Sequence, residues 1–222
     1  HRHVHESSLD LIRTIASACI AAHADLSIDV RLSCAWSRML ILPALAQLTR
    51  EERWRNYARA RFEQVYTDSA DGWDLRVARN WPDRDRLAVA WPRALREELS
   101  AHANVRSARV GALEYLGVLL AQMPNFSGCL AHIEAGGAGL LLLYEGCLRR
   151  VRWCRFENDD GLAATVSAEW AGVQATQTGE ASEAALALAA AAGQLEVDAA
   201  RTIERLASNL GISRTVCLPD WA

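Results

Sequence analysis

The sequence predicts an α/β protein, and three observations carry that expectation. Between Ile28 and Met123, short β-branched or alternating apolar runs take turns with stretches of helical period. After Pro124, three apolar runs punctuated by glycine turns read as a β-meander. The chain has 222 residues, 51% of them hydrophobic, which is enough to bury a core of this kind.

The elements follow in order. Leu9–Ala22 places Leu9, Ile12, Ile15, Ala16, Cys19 and Ile20 on one helical face, with Ser7 or Ser8 to cap it. Ile28–Ala35 and Arg38–Leu42 read as strands, the second stopped by Pro43. A helix ends at Tyr66, with Thr49 as its cap and Glu51 and Glu52 where the helix dipole favours acids. Its apolar face is Trp54, Tyr57, Ala58, Phe62 and Val65.

Asp71-Gly72 turns the chain into Trp73–Arg79, whose strict alternation marks a half-buried strand. Arg86–Trp91 is a further strand, and Pro92 opens the helix Arg93–Ala103. Val105–Val110 is a strand and Leu113–Met123 a helix. The turn at Pro124–Gly128 is the expected boundary between a first subdomain, 1–124, and a second, 125–222. The second holds the strands Leu130–Glu134, Gly139–Tyr144 and Leu148–Phe156, then a helix, Leu162–Val173. The alanine-rich Glu180–Gly193 and the stretch Val197–Leu210 read as two more helices, and Thr215–Leu218 as a last strand.

Composition excludes several functions. The chain has no lysine, so all 24 cationic side chains are arginine. A phosphate-binding P-loop, Schiff-base catalysis and the lysine-dependent kinase site are thereby removed. A net charge of -3 gives nucleic acid no electrostatic claim on the protein. Six cysteines are scattered with no C-x-x-C pair, so neither a disulfide framework nor a zinc site of clustered spacing is expected. They read as small buried hydrophobes in a reducing cytosol. No apolar run reaches the roughly 18 residues of a membrane span, and no G-x-S-x-G elbow marks a nucleophile. The absence of an initiating Met suggests a fragment.

One segment has chemical interest: Ile133-Glu134-Ala135-Gly136-Gly137-Ala138-Gly139-Leu140. A strand running into a glycine-rich hairpin lets backbone N–H groups approach an anion, because no Cβ blocks the path. The same glycines would also serve a tight hairpin and nothing more. His132, beside the loop, is the one internal histidine worth testing. Arg150 and Arg152 share a strand face, with Arg149 adjacent. They either grip a partner's carboxylates or protect a solvated edge strand. Trp81 and Trp221, beside proline or at the chain end, are expected to be exposed contact residues.

The glycine hairpin resembles the second phosphate loop of the actin-like ATPase superfamily. The upstream order of strands and helices, with Leu42-Pro43 and Arg93-Ala94-Leu95 within it, is similar to the actin-like assembly proteins of type IV pili and type II secretion (PilM and the cytoplasmic domain of GspL). The resemblance covers Ile28 to Phe156. It implies an actin-like, ribonuclease H-like fold of two subdomains, each a mixed sheet flanked by helices.

The resemblance also implies a non-catalytic cytoplasmic scaffold, peripheral to the inner membrane. That scaffold would bind the cytoplasmic segment of an inner-membrane platform protein, and the resemblance allows a homodimer. Within it, Glu134, Gly136, Gly137 and Gly139 are the remnant of a phosphate loop; from their place on the strand and its approach, Arg149, Arg150 and Arg152 are the candidate partner-binding residues. Glu134 stands where the family has Asp, Ala135 displaces the next glycine, and no first phosphate loop precedes Ile28. The chain is therefore expected to need no cofactor, metal or catalytic residue. The alternatives are an ATPase or phosphotransferase of the same superfamily using ATP and Mg²⁺, and a helical interaction module in the C-terminal third.

Overall fold

The computed structural model describes residues 14, 17–23, 25–78, 85–134, 137–156, 159–176, 185–190, 208 and 214–217. Residue 14 and residues 17–22 are helical, as expected of the first helix; of its expected apolar face Ile20 is buried, but Cys19 is exposed.

Three sheets follow. Strands β1 (Ile28–Leu32) and β5 (Val105–Val110) form a parallel pair. Strands β2 (Arg38–Leu42), β3 (Trp73–Val77) and β4 (Arg86–Pro92) form an antiparallel sheet with β4 in the middle. Strands β6 (Gly128–Glu134), β7 (Gly137–Tyr144) and β8 (Cys147–Cys154) are the expected meander. They extend into a five-stranded sheet through β9 (Ala185–Ala190) and β10 (Arg214–Cys217), in the order β10-β9-β6-β7-β8. The β7–β8 turn puts Glu145 and Gly146 at φ 51° and 72°, the left-handed pair that a two-residue hairpin requires.

Helix α1 (Glu51–Tyr66) lies on the small sheet and buries Trp54, Ala58 and Phe62. Each large side chain so buried contributes about 1.5–3 kcal/mol. Helices α2 (Arg93–Ala101) and α3 (Gly111–Gln122) pack into a core that also takes Leu130, Leu141, Leu143 and Leu148 from the meander. That core thus draws on residues from both sides of Pro124. Helix α4 (Asp159–Gln174) covers the other face of the large sheet with Leu162, Val166, Trp170 and Val173.

Several expectations need correction. The first strand stops at Leu32, because the Ser33 hydroxyl accepts the Ala35 N–H and winds Cys34–Trp36 into a 3₁₀ turn. Helix α1 has Arg50, not Thr49, at its N-cap, with no side-chain hydrogen bond there. Val65 is 51% exposed and lies off the buried face. Pro92 is the N-cap of α2 and not its first residue.

The largest correction is β9. Ala185–Ala190, expected within a helix, is a parallel strand between β6 and β10. Backbone pairing on both sides outweighs the helix propensity of alanine. The period-two run Ala185-Leu186-Ala187-Leu188 was the local sign of it. Of the helix expected over Val197–Leu210, only Ser208 is described, and it is helical. Trp81 and Trp221 lie outside the described residues.

Candidate functional site

At the glycine hairpin, the link between β1 and β2 packs against β6 and β7. Residues two apart on a strand share a face, so His132 and Glu134 point the same way from the end of β6. The link between β1 and β2 comes down on them and delivers Ser33 and Cys34. Two glycines make room for this. A Cβ on Gly139, opposite His132 in the ladder, would sit 2.8 Å from Cys34 Sγ. A Cβ on Gly111, at the start of α3, would sit 2.6 Å from His132 Cε1. Tyr115 stacks its ring 5.0 Å from the imidazole.

The polar atoms converge tightly. Glu134 is only 7% exposed, and its carboxylate accepts the Cys34 N–H at 2.8 Å on Oε1 and 3.1 Å on Oε2. The Ser33 hydroxyl donates to Oε2. His132 Nδ1 lies 3.0 Å from Glu134 Oε1 and 3.5 Å from Cys34 Sγ. The Ala112 N–H of α3 also reaches the Cys34 sulfur.

Burial pushes the Glu134 carboxyl up, but the hydrogen bonds from His132, Ser33 and Cys34 outweigh it, so the group stays below the usual carboxylate range. For the Cys34 thiol, burial and then the Glu134 charge push it well above its ordinary value. A nucleophilic cysteine needs the opposite shift. It also needs an imidazole that faces sulfur with one nitrogen and carboxylate with the other. Here Nδ1 faces both, so this is no acyl-transfer relay.

Of the predicted phosphate-loop residues, the three that are described, Glu134, Gly137 and Gly139, pack against side chains of the same protein. Glu134 turns inward. Gly137 faces the Trp153 indole, where a Cβ would lie 2.3 Å from Cζ2 and 2.6 Å from the Cys154 carbonyl. Gly139 faces Cys34, and Gly136 lies outside the described residues. His132, singled out from the sequence, sits at the centre of the cluster. Ser33 and Cys34 were missed, since 100 residues separate Cys34 from Glu134 and the predicted strand ran straight through both.

The three arginines lie elsewhere, on β8. Arg150 donates from Nη1 to Glu169 Oε2 at 2.6 Å, and Arg152 donates to Glu169 Oε1. Glu169 belongs to α4, so these two side chains fasten strand to helix while keeping about half their surface in water, at 50% and 57% exposure. Arg149 is exposed.

No protein-family model matches the sequence, and no curated protein does. The structure is similar to solved ones. A Bacteroides thetaiotaomicron protein described as having an actin-like ATPase fold and unknown function aligns with a TM-score of 0.54 at 9% identity, covering 86% of this chain and 67% of that one. The PilM-PilN type IV pilus biogenesis complex aligns at 0.53 and 14% identity, over 82% of this chain and 65% of that one. The cytoplasmic domain of EpsL, an inner-membrane component of the Vibrio cholerae type II secretion system, gives 0.45 at 12% identity, over 78% and 65%. The chain thus spans about two thirds of the length of each. Among the described residues, no helix is long and apolar enough to cross a membrane. With a three-stranded meander continued by parallel strands, and the two likenesses above 0.5, the chain has the actin-like ATPase fold.

Proposed function

We propose that this protein is a non-catalytic scaffold that binds the cytoplasmic segment of an inner-membrane platform protein in a pilus or secretion machine. It would stand in the cytoplasm, held to the membrane through that partner. The observation that carries the reading is the inward turn of Glu134. The acid at the strand end is spent on Ser33, Cys34 and His132 of its own chain, and Gly137 and Gly139 are filled by Trp153 and Cys34. An actin-like chain with that loop closed keeps the fold's surfaces without a free phosphate cradle. The likeness to the PilM-PilN type IV pilus biogenesis complex supports a protein partner within an assembly machine. Arg149, with the exposed parts of Arg150 and Arg152, supplies a cationic strip for the bound segment's carboxylates.

The test is binding of the purified chain to cytoplasmic peptides of the platform proteins encoded beside its gene, followed by fluorescence anisotropy. Saturable binding to one of them, weakened about tenfold or more by Arg149→Glu, is the expected result. Failure to bind any of them overturns the proposal. The second reading, a nucleotide-dependent ATPase, draws on the glycine hairpin itself and requires Mg-ATP to bind there.

A further inference from the structure

The cluster at the β6–β7 hairpin has a property that neither the scaffold nor the nucleotide reading uses. Cys34 Sγ, an imidazole nitrogen of His132 and a carboxylate oxygen of Glu134 lie within 4.8 Å of one another, and all three residues are buried. We propose that these three atoms form a binding site for a divalent metal ion of the zinc class. This inference does not depend on the scaffold reading.

Geometry is the first argument. Zinc bonds of about 2.3 Å to sulfur and 2.0–2.2 Å to nitrogen and oxygen, at tetrahedral angles, place sulfur and nitrogen about 3.6 Å apart and nitrogen and oxygen about 3.4 Å apart. The observed separations are 3.5 Å for Cys34 Sγ to His132 Nδ1 and 3.0 Å for His132 Nδ1 to Glu134 Oε1.

The second argument is convergence. One imidazole nitrogen faces both the sulfur and the carboxylate, and a single proton on Nδ1 can serve only one of them well. A cation answers all three atoms at once. Thiolate, carboxylate and neutral imidazole around a divalent ion also sum to zero charge, the condition for burying charge cheaply.

The third argument is the support around the ligands. With Oε1 as the ligand, Glu134 Oε2 keeps the Ser33 hydroxyl, and the one Cys34 N–H, shared between the two oxygens at 2.8 Å and 3.1 Å, helps to fix the carboxylate's orientation. The Ala112 N–H reaches the sulfur from the start of α3, as suits a metal-bound thiolate. Ligand chemistry selects the ion: thiolate and imidazole favour zinc or cobalt over magnesium or calcium, which take oxygen. Three protein ligands leave a fourth position for water or another donor. The ion would tie the β1–β2 link to β6 and so join segments about 100 residues apart.

Cobalt(II) is the direct probe. The full chain, stripped with chelator and dialysed, is titrated with Co²⁺ alone. One equivalent should bring up the near-ultraviolet thiolate-to-cobalt band and tetrahedral visible absorption, both removed by Zn²⁺. Cys34→Ser should abolish the thiolate band and Cys129→Ser should keep it. Glu134→Gln should weaken Co²⁺ binding about tenfold or more. Histidines at the chain start cannot produce a thiolate band, so they do not confuse the result. The proposal is overturned by a wild-type chain that gives no thiolate band, or by a band that survives Cys34→Ser. If Cys34→Ser fails to fold by circular dichroism, His132→Gln takes its place. The wild-type thermal midpoint must then rise with stoichiometric Zn²⁺, and no rise also overturns the proposal.

Discussion

Two glutamates in this protein are equally buried, 7% exposed each, yet they are held in opposite ways. Glu169 is answered by two full charges, Arg150 and Arg152, whose guanidinium groups remain half in water. Glu134 is answered by a buried backbone N–H, a buried imidazole and the hydroxyl of the partly buried Ser33. The first arrangement is a surface clamp whose cations lose little hydration, and it fastens α4 to β8. The second uses the protein's own backbone to hold a carboxylate at the place where two halves of the chain meet. Equal burial therefore does not mean equal function: what differs is whether the partners could solvate themselves if the acid were gone.

That comparison can be broken by mutation. Glu134→Ala should cost about 3–5 kcal/mol, because it strands the buried Cys34 N–H and removes the acceptor of the Ser33 hydroxyl. Chemical denaturation measures it, and a cost below that of Glu169→Ala would reverse the ranking. Gly137→Ala should cost about 1–3 kcal/mol by forcing a Cβ against the Trp153 ring and the Cys154 carbonyl. Glu169→Ala should cost about 1–2 kcal/mol, since its arginines return to solvent. At the small end, Gly117→Ala, with open space around the new Cβ on α3, should stabilise by about 0.5–1 kcal/mol.

The clamp also carries a pH signature. Burial pushes the Glu169 carboxyl up, but its hydrogen bonds and charge pairing with Arg150 and Arg152 bring it below its ordinary value of 4.5. A depressed carboxylate contributes stability above its unfolded value and loses it as pH falls through the lower folded one. The stability gap between wild type and Glu169→Gln should thus be full above pH 4.5 and close below it. In about 1 M salt the gap should shrink even at neutral pH. A gap that widens with acid would contradict the clamp.

Much of the fold was legible in the sequence, and the failures share a cause. β2 and β5 were read to the residue, β2 as an apolar run stopped by Pro43. The meander was read from its glycine turns. β9 was not, because its alanines report local propensity while its two neighbours in the sheet report only through the fold. The end of β1 was missed for a related reason. Ser33 and Cys34 extend the alternating strand pattern locally; the Ser33 cap turns the chain there, and Glu134, far along the chain, holds that turn through Ser33 and Cys34. Of the site, Glu134 and His132 could be singled out beside the glycines. Their partners could not, since no spacing rule joins residue 34 to residue 132. Arg150 and Arg152 were read correctly as sharing a face, but the helix that supplies Glu169 to that face was invisible from the strand alone.

The central claim is that the hairpin resembling a phosphate loop is closed by its own chain. Calorimetric titration of the folded protein with Mg-ATP and Mg-ADP tests it most directly. The account predicts no heat of binding at millimolar nucleotide. Micromolar binding that Glu134→Gln abolishes would contradict it and put the ATPase reading in its place.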